Sequence, residues 1–188
     1  MTQKLPEWIG SLITLADCDG DSEKYIAKLF EIFKKDFMDS RPSFKGKPVL
    51  FDKKLDGDKP NTFVHITTEK DPATKQRILS MRRCERIGWI KPIIEHANDP
   101  AILVWQKEQV TSERTATRVY LFLEKEDFLV IIQEIKWGHF IITAIYVDNP
   151  NQKRKHLKAY EIFKNSILSS KARTARESGP RTPFTLGK

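Results

Sequence analysis

The sequence predicts an α+β domain: N-terminal helices, then a four-stranded antiparallel sheet, a C-terminal helix and a disordered basic tail. Three observations carry this expectation. Apolar residues recur at three- and four-residue spacing over residues 22–38, 72–90 and 152–168. Four β-rich runs follow one another between Ala101 and Val147 with only short polar turns between them. From Ser169 onward the chain is Ser, Thr, Arg, Gly and Pro without apolar periodicity, a composition that does not fold alone. One domain over 1–168 is therefore expected, with a helical segment at 1–40, a core at 60–148, a helix at 152–168 and a tail at 169–188.

In the first helix Ser22 is the expected cap, and Tyr25, Ile26, Leu29, Phe30 and Phe33 form the apolar stripe. Residues 40–61, rich in Gly, Pro, Lys and Asp, read as a loop with one short strand at Pro48–Phe51, and Thr62–Thr67 reads as a second extended segment. Asp71-Pro72 reads as a helix start; Ile78, Met81, Glu85 and Trp89 follow at helical spacing, interleaved with Arg77, Arg82, Arg83 and Arg86. Gly88 and Pro92 break or kink that helix, and a short piece follows to about Ala97. The runs Ala101–Gln109, Arg118–Glu124, Phe128–Lys136 and His139–Val147 are too closely connected for crossover helices, so they form an antiparallel meander.

Composition narrows the function classes. The formal charge is +8 over 188 residues, but residues 151–188 carry all of it. A neutral body with a cationic end favours a polyanionic partner. No apolar run spans a bilayer, and MTQKLPEWIG lacks the layout of a secretory leader. The two cysteines, Cys18 and Cys84, have neither disulfide-framework nor zinc spacing. A cytoplasmic protein with no cofactor, no metal and no membrane partner is expected. Asp17, Asp19 and Asp21 resemble a calcium loop only briefly, because Gly20 and Lys28 stand at the wrong places; a capped turn is expected instead.

His65 lies between Val64 and Ile66, with the hydroxyls of Thr67 and Thr68 beyond it, and imidazole is the side chain best suited to proton transfer near neutral pH. Arg82, Arg83 and Arg86 cluster within about one helical turn, with Trp89 three residues on, a combination suited to gripping phosphate and stacking a base. In the last strand, two-residue alternation puts His139 and Thr143 on one face and Ala144 and Tyr146 on the other or at its end. The bland counterparts are a structural histidine, a solvated arginine face and a threonine chosen for β-propensity. No phosphate-binding glycine loop, dinucleotide fingerprint, zinc-protease motif or nucleophile elbow is present.

Three pieces in order resemble the barnase–EndoU–colicin–RelE superfamily of nuclease domains, particularly its phage-associated branches. They are Phe63-Val64-His65-Ile66-Thr67, the stretch Arg82–Lys91 followed by Asn98-Asp99-Pro100, and Phe140-Ile141-Ile142-Thr143-Ala144-Ile145-Tyr146. The last is similar to a "Thr-Ala-Tyr" strand end with Ile145 inserted, which moves Tyr146 to the other face. The resemblance covers about residues 60–148 and implies a metal-independent ribonuclease, often a toxin or phage-conflict effector. Its chemistry is attack of a ribose 2′-hydroxyl on the adjacent phosphate, leaving a 2′,3′-cyclic phosphate. On that reading His65 is base or acid, Arg83 or Arg86 clamps phosphate and Thr143 positions it. Arg82, His139, Thr67, Trp89 and Tyr146 are secondary candidates. The partners implied are RNA and an antitoxin or immunity protein. The alternatives are a non-catalytic nucleic-acid- or partner-binding protein, and an inactive relative serving as an interaction module.

Overall fold

The computed structural model describes residues 5–110 and 115–177, with side chains to Ser170. Helix α1 spans Ser22–Phe33 and buries Tyr25, Leu29 and Phe33. Its cap is Asp21, not Ser22: the Asp21 carboxylate accepts from the backbone N–H groups of Glu23 at 2.9 Å and Lys24 at 3.1 Å. The helix continues as a π-helical turn, Lys34–Met38, which sends Phe37 into the core. Asp17 caps the turn before it, as the capped-turn reading expects.

Strands β1 (Ser43–Phe44) and β2 (Lys47–Leu50) follow, then the small hairpin β3 (Leu55–Asp56) and β4 (Lys59–Pro60). Residues 62–67, expected to be extended, are helical instead, within α2 (Asn61–Thr67). Thr62, Phe63, Ile66 and Thr67 are the buried positions, which is one face of a helix and cannot be one face of a strand. Burial of Phe63 and Ile66 outweighs the β-propensity of Val64, Ile66 and the threonines.

The predicted helix over 72–90 is also corrected. Thr68–Lys70 (β5) and Arg77–Leu79 (β6) form an antiparallel hairpin instead. The Asp71 carboxylate accepts from the N–H groups of Ala73 and Thr74, closing a local turn, and Lys75 leaves it at φ 60°. Helix begins only after Ser80, as α3 (Met81–Cys84), followed by a 3₁₀ turn at Ile87–Trp89 and α4 (Ile90–Glu95). Pro92 sits in the first turn of α4, where its missing N–H removes no helical bond.

The meander is present: β7 (Ile102–Val110), β8 (Thr115–Leu123), β9 (Phe128–Ile135) and β10 (Gly138–Tyr146) pair antiparallel in sequence order. The sheet is wider than the four strands expected. Its order is β1-β2-β10-β9-β8-β7, and β2 joins β10 in parallel, which the long connection through the helices permits. Helix α5 runs Pro150–Glu177, beyond the expected end at Leu168. The expectation of a disordered tail is thus overturned for 169–177, while 178–188 lie outside the described residues. Among the described residues no helix is long and apolar enough to cross a membrane.

Alternate residues of β8 and β9 feed two cores. Val119, Leu121, Phe128, Val130 and Ile132 meet α1 to α4, and Phe122, Leu129 and Ile131 meet Leu157, Tyr160 and Phe163 of α5. The molecule is therefore layered as helices, sheet and α5.

Candidate functional site

His65 occupies the outer face of α2, because the inner face is taken by Phe63 and Ile66. The β5–β6 hairpin folds back so that Arg77 Nη2 lies 2.5 Å from His65 Nδ1, and Arg77 Nη1 donates to Thr68 Oγ1 at 2.9 Å. Helix α3 adds Arg83, whose Nη1 donates to the carbonyls of Thr68 at 2.7 Å and His65 at 3.4 Å. Glu69 stands 3.8 Å from Arg83 as the counter-charge. The hairpin thus brings the Arg77 guanidinium to the His65 imidazole, and α3 brings the Arg83 guanidinium to the backbone carbonyls of His65 and Thr68.

A guanidinium only donates, so Nδ1 must accept and the neutral ring carries its proton on Nε2. Partial burial, then the charges of Arg77, Arg83 and Lys70, lower the His65 pKa below the usual histidine value. The ring is accordingly neutral near neutral pH. Burial also lowers the pKa of Arg83, with Glu69 opposing that shift.

Arg82 and Arg86 go elsewhere. Arg86 is buried, its guanidinium carbon 5.1 Å from the Trp89 ring and 4.8 Å from the Tyr146 ring. Its Nη1 donates to Glu85 Oε2 and to the Arg82 carbonyl, both at 3.0 Å, and its Nε has no partner. Trp89 Nε1 donates to the Gly10 carbonyl at 2.8 Å. Arg86 and Trp89 are therefore a packed brace, not a free clamp and base platform. Arg82 stays exposed, 5.4 Å from the Tyr146 ring and 4.0 Å from Glu85.

Tyr146 reaches this brace through a bulge. Ile141 pairs with Ile132 and Thr143 with Ile131, leaving Ile142 extra. The extra residue reverses the alternation that a regular strand would have. Ile141, Ala144 and Tyr146 share the helical face, whereas Thr143 and Ile145 turn toward α5. The expected pairing of His139 with Thr143 is overturned for this reason, and Thr143 lies across the sheet from His65 and Arg83. His139 is buried against the Phe44 ring, 4.9 Å between centroids, with its Nδ1 unpartnered. It is the second residue of the strand that Tyr146 ends, roughly 20 Å away at the usual strand rise. Thr67 is buried and its hydroxyl donates to the Phe63 carbonyl at 2.8 Å, so it completes its own helix.

The structure brings together His65 and Arg83 among the expected residues, and separates them from Thr143 and His139. The residue passed over as a site member is Arg77. Its signal was Asp71-Pro72-Ala73-Thr74-Lys75, which fits a hairpin turn as well as a helix start. The cations of α5 lie on the far side of the sheet: Arg154, Lys155 and Lys158 line one exposed surface. Lys153 instead pins the helix start to Glu124 at 2.9 Å and Asp127 at 2.8 Å. Among the described residues no three His, Cys, Asp or Glu side chains are grouped to hold a metal ion. Comparison of the chain with protein-family models, with curated proteins and with solved structures finds no match.

Proposed function

We propose that this chain binds RNA, holding a backbone phosphate between Arg77 and Arg83 beside His65. One observation carries the reading: guanidiniums from separate elements meet at His65, Arg77 on its imidazole and Arg83 on its backbone carbonyl, with Lys70 near and Glu69 paired to Arg83. Cations held this close repel one another, and a phosphate relieves that repulsion while accepting several charge-assisted hydrogen bonds. The ligands are guanidinium and imidazole groups, so the grip falls on the backbone and tolerates many base sequences. The α5 cations give a second, non-specific phosphate surface on the other side of the sheet. Fluorescence anisotropy with a single-stranded RNA oligonucleotide tests the reading. Arg77→Ala is expected to weaken binding about tenfold, the loss of one charge-assisted contact.

A second reading has its own observation, the neutral His65 ring. Once phosphate draws Arg77 away, Nδ1 is a free base. It then takes the proton of a ribose 2′-hydroxyl as O2′ bonds to phosphorus and the P–O5′ bond breaks. The leaving 5′-oxygen takes a proton from water, and a 2′,3′-cyclic phosphate remains. Of the parts the nuclease resemblance implies, His65 and Arg83 stay in this site and Thr143 does not. Under this reading RNA is cleaved in EDTA, a 2′-deoxy analogue is bound intact, and His65→Ala lowers the rate about 10²–10⁴-fold. Absence of cyclic-phosphate product leaves the binding function alone.

A further inference from the structure

A cavity of about 520 Å³ opens beside the parallel edge of the sheet, on residues that the RNA reading does not use. That size is typical of small-molecule sites. Its apolar lining includes Phe37 and Met38 from the π-helical turn, Leu50 from β2, Leu55 from β3 and Phe140 from β10. Met38 and Leu55 are 48% and 62% exposed, so an occupant would cover apolar surface now in water. π-Helical turns of this kind occur often at functional sites.

The polar part of the lining is one-signed. Arg41 and Lys53, both exposed, line the cavity, and among the described residues no carboxylate does. The neighbouring Asp52 keeps its charge but does not line the cavity, its oxygens accepting from Asn61 Nδ2 at 2.9 Å and from the Lys54 backbone at 3.0 Å. We propose that this cavity binds an apolar-bodied carboxylate of the medium-chain fatty acid class. The chain lies against the phenyl and leucine walls, and the carboxylate sits at the exposed rim between Arg41 and Lys53. A neutral ligand fills the walls but leaves the cations unmatched.

Decanoate and decan-1-ol, competing against the fluorescent anion 1-anilinonaphthalene-8-sulfonate on the full chain, separate these contributions. Decanoate is expected to bind with one-to-one stoichiometry and about tenfold more tightly than the alcohol, as a charge-assisted pair requires. In Arg41→Ala/Lys53→Ala that preference disappears while the alcohol still binds. Leu55→Glu, at an exposed position that leaves folding intact, weakens both ligands about tenfold by placing a carboxylate in the apolar wall. Thermal melts of each variant verify the fold. Failure of decanoate to bind, equal binding of acid and alcohol to the unaltered protein, or indifference of both ligands to Leu55→Glu would each overturn the proposal.

Discussion

Arg86 and Arg77 carry the same guanidinium, and their surroundings decide what the loss of each does. Arg86 is wedged between Trp89 and Tyr146 and paired with half-buried Glu85. Arg86→Ala leaves a void and leaves that carboxylate with exposed Arg82, 4.0 Å away, so unfolding free energy is expected to fall by about 3 kcal/mol in urea titration. An unchanged midpoint would show that the brace contributes nothing. Arg77 is exposed, and Arg77→Ala is expected to shift stability by no more than about 0.5 kcal/mol. The arginine cluster was visible in the sequence, but its division was not. A regular helix keeps residues 82, 83 and 86 near one face. Here α3 is one turn long and passes into a 3₁₀ turn, so Arg83 meets the hairpin while Arg86 turns inward.

Strands β7 to β10 were legible because each is long and set off by turn residues, so local signals suffice. The segment 62–67 and the β5–β6 hairpin were misread because they are short, and burial or a single Asp71 turn outweighs propensity there. The bulge at Ile142 depends on how two strands register, which neither strand's composition states. The parallel edge was equally hidden, although it leaves a clear mark at Gly138. A Cβ on Gly138 would stand 2.3 Å from the Pro48 carbonyl oxygen, closer than atoms can approach. Gly138→Ala must part β2 from β10, and a cost of about 1–3 kcal/mol is expected, as for other overpacked sites. Hydrogen exchange should quicken selectively at Val49 and Leu50. Uniform protection across both strands would show that the edge yields without separating.

At the scale of the whole molecule three histidines lean one way. Burial is the largest cause lowering the pKa of His65, His139 and His156. Arg77, Arg83 and Lys70 add to it at His65; at His139, Lys47 and Lys45 reinforce it against Glu134. His156 has its ring among Trp105, Tyr120 and Phe122, at the seam between α5 and the sheet. The folded state therefore binds fewer protons than the unfolded chain from the ordinary histidine value of 6.5 down to the lowered values. Stability must fall as pH drops through that window. A melting temperature that declines below about pH 6.5 is expected. His156→Phe should flatten the decline, and an unaltered profile in that variant would remove His156 from the account. Charge asymmetry was legible from sequence, whereas its placement across the sheet from His65 was not, since only packing puts Leu157, Tyr160 and Phe163 of α5 on that face. Among the described residues the core contacts of α5 end at Phe163, so deleting 169–188 should leave the melting temperature intact while flattening the salt dependence of RNA binding. The central claim is that Arg77 and Arg83 hold an RNA phosphate beside His65, and RNA affinity measured against salt in the intact protein and in Arg77→Ala tests it most directly. The account predicts weaker binding by the variant and a log–log slope shallower by about 0.7, one phosphate contact on a single strand. Identical affinity and slope in the two proteins would contradict it.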